Sequence, residues 1–243
     1  ETWVGSIASG DGRGINSVLG YDLRLVSPFD FATFLTNHDM NRLMSQVGGD
    51  INKAKMASAL LLTSPGVPFI YYGEELGLLG AKPDENIRLS MRWEEGTNFG
   101  FSSADPWKAD PAADPAPVSL QDTNAESLLS HYRSLIQFRK GSTAASTGET
   151  YLLESSDPNL VAYIRVSGEE VVLVIANPSI KPSSGARLSL AESSLRGTFR
   201  LKAVFGFEGE DLELTVDEQG GFKEIMVTET LPADGWIIYS GTR

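Results

Sequence analysis

FATFLTNHDMNR, residues 31–42, is the stretch that decides how the first part of this chain should fold. Its first six residues are apolar or small, which predicts a short buried strand. The strand would end in a polar group that contains His38 and Asp39. The chain has only two histidines, so one placed beside an aspartate at a strand end needs an explanation. It indicates either a loop with an Asx turn or the edge of an active site.

The residues that follow extend this strand into a larger unit. Residues 54–62 are apolar and helix-forming, and they stop at a Ser-Pro-Gly turn signal. A second short apolar run covers residues 67–72. The order strand, helix, strand predicts a βα unit with parallel strands. In contrast, residues 5–20 are Gly-rich and polar and predict a loop, and residues 80–120 predict a long irregular segment.

The rest of the chain changes character after one more helix. Residues 122–140 have a helical repeat of apolar residues, with Asp122 or Thr123 as the expected N-cap and Gly141 at the end. Residues 142–148 predict a linker. Eight short runs rich in Val, Ile, Leu and aromatic residues then predict an antiparallel β-sandwich of seven or eight strands. They are 150–154, 160–166, 170–176, 186–190, 198–205, 211–216, 222–227 and 235–240.

Composition limits the function. The net charge of −12 argues against a nucleic-acid or anionic-membrane partner and fits a neutral ligand such as a sugar. Without cysteines there is no disulfide, thiolate nucleophile or cysteine-based zinc site. No apolar run is long enough to span a membrane. The first residue is Glu1 and not Met, so we expect a processed or truncated product. The compartment stays open, with an extracellular or cell-envelope location favoured.

Two motifs in this order resemble glycoside hydrolase family 13, the α-amylase family. They are FLTNHDMNR, residues 34–42, and SPGVPFIYYGEELG, residues 64–77. In that family the first motif ends the seventh strand of a (β/α)8 barrel, and the second forms the eighth strand and its loop. Residues 85–107 and 122–140 resemble the loop and last helix that follow, in the oligo-1,6-glucosidase, α-glucosidase and α-amylase branches. The resemblance implies the C-terminal part of a (β/α)8 TIM barrel over residues 1–145, strands five or six to eight, followed by an antiparallel β-sandwich domain over residues 146–243.

The resemblance also assigns the site residues. Asp39 matches the carboxylate that holds the 2- and 3-hydroxyls of the sugar as its ring flattens, and Glu1, in a Glu-x-Trp motif, matches the general acid. These two are the expected catalytic residues. The expected substrate-binding residues are Trp3, Asn37, His38 and Arg42. No metal ligand is expected in this chain. Calcium is the one cofactor that the resemblance allows, in a longer parent protein.

The chain departs from the family pattern in three ways. Residues 15–25 resemble the sixth strand, yet only five residues separate them from the strand at Phe31, where the family has a helix. The nucleophile motif, Arg-x-Asp at the end of strand four, is absent. Strands one to four are not encoded. The missing strands would leave a barrel edge open, so the expected partner, besides an α-glucan or maltooligosaccharide, is the missing barrel half or a second copy of the chain.

Other features have weaker interpretations. The adjacent Glu74 and Glu75 are expected to anchor a loop, and His131 to lie at a core edge. At least one aromatic residue of the long loop is expected to line a sugar subsite; these residues are Trp93, Phe99, Phe101 and Trp107. The sequence thus predicts part of a retaining glycosidase for α-1,4- or α-1,6-glucans. Three alternatives stay open: an α-glucosidase or transglycosidase such as trehalose synthase, a non-catalytic amylase-like domain, and a glucan-binding role for the β-rich tail.

Overall fold

The computed structural model describes residues 2–25, 27, 30–108 and 115–243, and the part before residue 148 is mainly helical. In chain order its elements are α1 (Thr2–Ser9), α2 (Arg13–Leu25), β1 (Ala32–Phe34), α3 (Leu43–Gln46), α4 (Ile51–Thr63), β2 (Val67–Phe69), a 3-10 turn (Glu74–Leu76), α5 (Asp84–Ile87), a second 3-10 turn (Thr97–Gly100), α6 (Val118–Gln121), α7 (Leu128–Gly141) and α8 (Thr143–Thr147). Among the residues described, none of the helices is long and apolar enough to cross a lipid bilayer.

Strands β1 and β2 form a parallel pair. Ala32 lies opposite Val67, and Phe34 lies opposite Phe69. Helix α4 connects the two strands in the sequence, so the predicted strand–helix–strand unit is confirmed. The polar residues that follow Phe34 therefore lie beyond the carboxyl end of a parallel strand, which is where α/β barrels carry their sites.

One face of this strand pair is open to solvent. Phe34 is 45% exposed, Val67 47% and Phe69 58%. Side chains alternate along a strand, so these residues share the face that would line the interior of a barrel. In the described part of the chain no third strand pairs with β1 or β2. The prediction of a buried strand over residues 31–36 was therefore wrong for the chain by itself, because nothing in it covers this face.

Helices α1 and α2 replace a predicted loop over residues 5–20 and a predicted barrel strand over residues 15–25, and both predictions were wrong. Ile15 and Leu19 lie one helical turn apart and are buried. A Cβ on Gly12 would lie 2.0 Å from the carbonyl oxygen of Asn159. This glycine thus allows close packing against the β-rich part and does not mark a loop. Composition suggested flexibility where the chain uses small residues for contact.

Helix α4 is the most deeply buried helix segment of the barrel part. Every residue from 56 to 63 is buried, which agrees with the apolar run seen in the sequence. The helix begins after Asp50, whose side chain accepts hydrogen bonds from the backbone N–H groups of Asn52 at 2.8 Å and Lys53 at 3.2 Å. Asp50 is thus its N-cap, and it satisfies two donors that have no partner within the helix.

Replacing Asp50 by alanine should lower the free energy of unfolding by about 1 kcal/mol, because alanine leaves both donors without their side-chain acceptor. Urea denaturation of the purified chain measures the loss. Asp50→Asn is the matched control, since asparagine keeps an acceptor oxygen and caps helices about as well. An alanine variant as stable as the asparagine variant would show that this cap contributes nothing.

The last helix of the barrel part starts later than predicted. Its N-cap is Ser127, whose hydroxyl accepts from the N–H of Ser130 at 3.1 Å, and not Asp122 or Thr123. The residues before it form the short helix α6 and a turn. The predicted linker over 142–148 is also wrong: Ser142 caps the short helix α8 there. Small residues such as Ala144 and Ala145 are buried, so this segment is packed and not a free connection.

The second part of the chain is an antiparallel β-sandwich, as predicted. Its strands are β3 (Glu149–Leu152), β4 (Glu154–Ser155), β5 (Val161–Ser167), β6 (Glu170–Ala176), β7 (Ser183–Ser184), β8 (Arg187–Leu190), β9 (Thr198–Gly206), β10 (Leu212–Thr215), β11 (Phe222–Met226), β12 (Thr230–Leu231) and β13 (Trp236–Thr242). One layer is a six-stranded sheet in the order β10-β9-β13-β6-β5-β3; the other contains β11-β8-β4 and the pair β12-β7. All eight predicted strands are present; β4, β7 and β12, of two residues each, were missed.

The two faces of the six-stranded sheet belong to different cores. One face packs on the short sheets of the sandwich, through residues such as Ile164, Leu173 and Phe199. The other packs on the helices, so that Tyr163 and Val174 share a cluster with Leu60. The predicted domain division after residue 145 remains a prediction. Helix α8 continues across that point, and the helices and the sheet have this cluster in common.

Two buried arginines join the parts further. The guanidinium of Arg165 donates to the carbonyl oxygens of Thr63 at 2.7 Å and Gly148 at 3.1 Å. Arg139, near the end of α7, donates to the carbonyls of Leu62 and Gly66, each at 2.8 Å. These carbonyls lie at the end of α4 and in the turn before β2, so both arginines satisfy acceptors where the helix stops.

Candidate functional site

The segment after β1 is shaped by an Asx turn. The side-chain oxygen of Asn37 accepts from the N–H of Asp39 at 2.9 Å, and the N–H of Met40 donates to the carbonyl of Asn37 at 3.2 Å. The loop interpretation of this stretch was therefore right in its geometry. It does not exclude a site, because the same turn points the side chains of His38 and Asp39 outward.

His38 and Asp39 form an exposed pair. Nε2 of His38 lies 3.3 Å from Oδ2 of Asp39, and the two side chains are 65% and 61% exposed. An imidazole beside a carboxylate offers one hydrogen-bond donor and several acceptors to the same ligand. Hydroxyl groups, which both donate and accept, match such a pair.

Arg88 holds Asp39 from the side and was not named from the sequence. Its Nε donates to the carbonyl of His38 at 2.9 Å, and its Nη2 donates to Oδ1 of Asp39 at 3.0 Å. The same Nη2 contacts Oδ2 of Asp84 at 2.7 Å. Lys82 and Arg88 also hold the pKa of the Asp84 carboxyl below its usual value. Arg88 thus ties the loop after β1 to helix α5 and leaves the second oxygen of Asp39 facing His38.

Arg42 lies beneath this loop, with only 1% of its surface exposed. Its guanidinium stacks on the rings of Tyr71, at 4.1 Å, and Tyr72, at 4.6 Å, and donates to the carbonyl of Tyr72. Its backbone N–H donates to the carbonyl of Gly80 at 2.8 Å. These contacts fix the end of the loop to the segment after β2. The predicted contact between Arg42 and substrate stays a prediction.

The remaining predicted site residues lie elsewhere or outside the described residues. Trp3 is in α1, where it packs against the core and lines a cavity of about 220 Å³ with Phe34 and Leu61. The structure therefore brings Trp3 to β1 and not to the loop of His38. Glu1, the expected general acid, lies outside the described residues, so its role stays a prediction.

Glu74 and Glu75 form a buried carboxylate pair below the loop. The hydroxyl of Thr36 donates to Oε1 of Glu74. Burial raises the pKa of Glu74 to about 7, although Thr36 and Arg42 act in the opposite direction. Burial also raises the pKa of Glu75. Thr36 directly precedes Asn37, so Glu74 supports the loop from inside, as the sequence interpretation of these glutamates expected.

The long loop after β2 presents aromatic rings to solvent. Trp93, Phe101 and Trp107 are each at least half exposed. Phe99 is different: the guanidinium of Arg92 lies 3.6 Å from the centre of its ring. Exposed ring faces can stack on sugars, so three of the four candidate residues are available for a subsite, and the assignment of one to substrate stays a prediction.

No metal site is evident in the described ranges. Among those residues, no three His, Asp or Glu side chains come close enough together to hold a metal ion. These residues therefore do not fit the calcium site that the resemblance allows for a longer protein, and calcium stays a prediction for segments outside them.

Comparison with known proteins places this geometry in context. The sequence profile described as "Alpha amylase, catalytic domain" matches residues 27–148. "Alpha-amylase 3" of Dictyoglomus thermophilum is 30% identical over 181 residues, which cover 72% of this chain and 36% of that protein. "Oligo-1,6-glucosidase" of Bacillus cereus is 27% identical over 186 residues, covering 59% and 33%. The crystal structure of the α-amylase from H. orenii superposes with a TM-score of 0.66 and 30% identity, over 99% of this chain and 47% of that one. The chain thus spans about a third of the length of these relatives.

Proposed function

Because the chain belongs to the α-amylase family of glycoside hydrolases, we propose that it is the C-terminal part of a retaining enzyme that acts on α-1,4- or α-1,6-linked glucans. One observation carries this proposal. The carboxylate of Asp39 is exposed at the carboxyl end of a parallel strand, and Arg88 and the Asn37 turn fix its direction. A carboxylate held in this way is preorganised to accept hydrogen bonds from a sugar.

Asp39 acts in this proposal on the transition state. As the anomeric carbon gains positive charge, hydrogen bonds from the sugar's 2-hydroxyl to a carboxylate become stronger. An interaction that strengthens along the reaction raises the rate and not only the affinity. His38 adds a second contact to the hydroxyls of the same sugar.

The chain cannot complete the reaction by itself in this proposal. A retaining mechanism needs a nucleophile and an acid/base carboxyl about 5 Å apart, on opposite sides of the bond that breaks. Glu1 is the proposed acid, and the sequence contains no Arg-x-Asp nucleophile motif. The nucleophile would come from barrel strands that this chain does not encode. The isolated chain would serve as a subunit or a segment of a complete barrel.

Two alternatives predict different products. An α-glucosidase or a transglycosidase such as trehalose synthase would release or rearrange single glucosyl units, whereas an endo-acting amylase shortens long glucans. A non-catalytic domain would give no product from a protein of full family length. The ion pair of Asp39 with Arg88 favours a working site, because a binding scaffold alone does not require an oriented carboxylate there.

The purified chain of 243 residues should show no turnover of maltooligosaccharides. It should also elute as an oligomer or aggregate in size-exclusion chromatography. The reasons are the absent nucleophile and the exposed apolar face of Phe34, Val67 and Phe69, which water disfavours and a second copy or the rest of a barrel would cover.

A reducing-sugar assay and the elution volume decide this together. The positive control is a chain of full family length that includes these residues, and it should release reducing sugar. Turnover by a monomer of the short chain would refute the absence of the nucleophile. No product from the long chain would refute the proposed activity.

A further inference from the structure

A cavity of about 370 Å³ lies where the start of α4 meets the β-sandwich. Its walls come from Asn52 and Lys55 of α4, from His131 of α7, and from Phe205, Phe207 and Trp236 of the sheet. We call it the seam cavity. It shares no residue with the loop of His38 and Asp39, and its volume lies in the range of small-ligand sites.

The aromatic walls of the seam cavity are fixed by their own contacts. Trp236 meets the ring of His131 edge-on at 5.3 Å, and Phe205 meets Phe138 edge-on at 5.4 Å. The N–H of Phe207 donates to the carbonyl of Trp236 at 2.7 Å. Phe207 is 43% exposed, so its ring offers a held surface that a ligand can reach without rearrangement.

Asp234 supplies the main polar group of the seam cavity. Its Oδ1 is buried and has no hydrogen-bond partner within the described residues; Nζ of Lys53 lies 3.8 Å away, beyond hydrogen-bonding distance. The residue has a φ of 53°, and its N–H donates to the carbonyl of Ser179 at 3.1 Å. A non-glycine residue held in this conformation with an unsatisfied acceptor is typical of a ligand site.

The charges around the seam cavity nearly balance. Lys53 and Lys55 face Asp234 and Glu126, so neither a strong anion nor a strong cation is selected. What remains is an aromatic surface beside hydrogen-bonding side chains, including the amide of Asn52. A sugar has both matching properties: its C–H face packs on a ring, and its hydroxyls bond to carboxylates and amides.

A neighbouring cavity of about 550 Å³, lined by residues 203–209, shares Phe205, Gly206 and Phe207 with the first. The ring of Phe207 therefore has open space on both sides. A ligand longer than one sugar could pass over it, which is a property expected for a site that holds a polymer and not a single small molecule.

We propose that the seam cavity is a second saccharide-binding site, separate from His38 and Asp39, in which Phe207 stacks on a glucosyl unit and Asp234 accepts its hydroxyls. The choice of an α-glucan as the saccharide rests on the proposed function. The site would hold a glucan chain on the protein without taking part in bond cleavage.

Isothermal titration of the chain with maltotriose tests the seam cavity. Phe207→Ala should raise the dissociation constant about threefold to tenfold, the range of one stacking contact. Asp234→Asn should raise it by about tenfold, because a neutral amide replaces a charged acceptor. Asparagine tolerates a positive φ, so this variant should keep its fold. Met226→Ala, with 44% of Met226 exposed on another sheet, is the matched control and should bind like the parent.

Asp39→Ala separates this site from the first one. If the seam cavity binds, this variant retains the binding step that Phe207→Ala and Asp234→Asn weaken. Binding that is lost only with Asp39→Ala would overturn the seam site and leave the proposed function intact. The absence of saturable binding by the parent chain would also overturn it. Cellotriose bound as tightly as maltotriose would overturn the assignment to α-glucans, a result that does not depend on whether the long chain turns over.

Discussion

Replacing Asp39 by asparagine, in a chain of full family length, should lower kcat and kcat/KM together by about 10²- to 10³-fold. Asparagine keeps the size of the side chain but removes the negative charge that the sugar's hydroxyls contact. The contact strengthens as the transition state forms, and the loss of such a contact depresses both constants equally. Steady-state kinetics on maltooligosaccharides measure the change.

Asp30→Asn is the control for this experiment, because Asp30 is also exposed on the same segment and makes no contact with His38 or Arg88 in the structure. Its kinetics should match those of the parent. A change confined to KM in Asp39→Asn would mean that Asp39 contributes uniform binding only. That result would refute its role in the transition state.

The stability of the chain should respond to pH through two opposing groups, His131 and Glu74. Burial lowers the pKa of His131 from 6.5 to about 4, so the unfolded chain takes up a proton between these values and the folded chain does not. His131 therefore makes the folded state more stable as pH rises through this window, by about 3 kcal/mol. Its Nε2 lies 3.1 Å from the carbonyl of Lys55, which only accepts, so the neutral ring carries its proton there.

Glu74 has the opposite sign. Its pKa is raised from 4.5 to about 7, so the folded chain keeps a proton that the unfolded chain loses. Its contribution to stability is present below about pH 4.5 and falls by about 3 kcal/mol as pH rises to about 7. The two contributions overlap and largely cancel, and the parent chain should show a weaker pH dependence than either variant.

Urea denaturation between about pH 4.5 and 7.5 measures both. His131→Gln keeps a donor to Lys55 and should be more stable relative to the parent at the acid end than at the neutral end. Glu74→Gln keeps the acceptor for Thr36 and should gain relative to the parent at the neutral end. A difference between His131→Gln and the parent that does not change with pH would refute the contribution of this histidine.

The sequence predicted those features that depend on a strong local pattern. The eight longer strands of the sandwich follow from alternating and apolar runs between turn residues, and helix α4 follows from an apolar run that ends before Pro65. The parallel pair β1–β2 was predicted because two motifs occur in order. Such signals lie within a few residues of each other and survive without tertiary context.

The missed features depend on residues that are distant in the sequence. Helices α1 and α2 are stabilised by contacts with the sandwich, such as the amide of Asn16 with the carbonyl of Leu160 at 2.8 Å, which outweigh the low helix propensity of their glycines. Arg88 was missed because its contact with Asp39 spans 49 positions of the chain. The walls of the seam cavity come from separate helices and strands, so no local pattern announces them.

The buried arginines at the end of α4 also limit how this protein can change over evolutionary time. Arg165 is encoded with the sandwich, but its partner carbonyl at Thr63 is encoded with the barrel. A recombination that replaced one part with that of a distant relative would leave a buried guanidinium without its acceptor, at a cost of about 3–5 kcal/mol. The two parts should therefore be inherited as a pair, and grafting either onto an unrelated protein would require the arginine and its acceptors to move together.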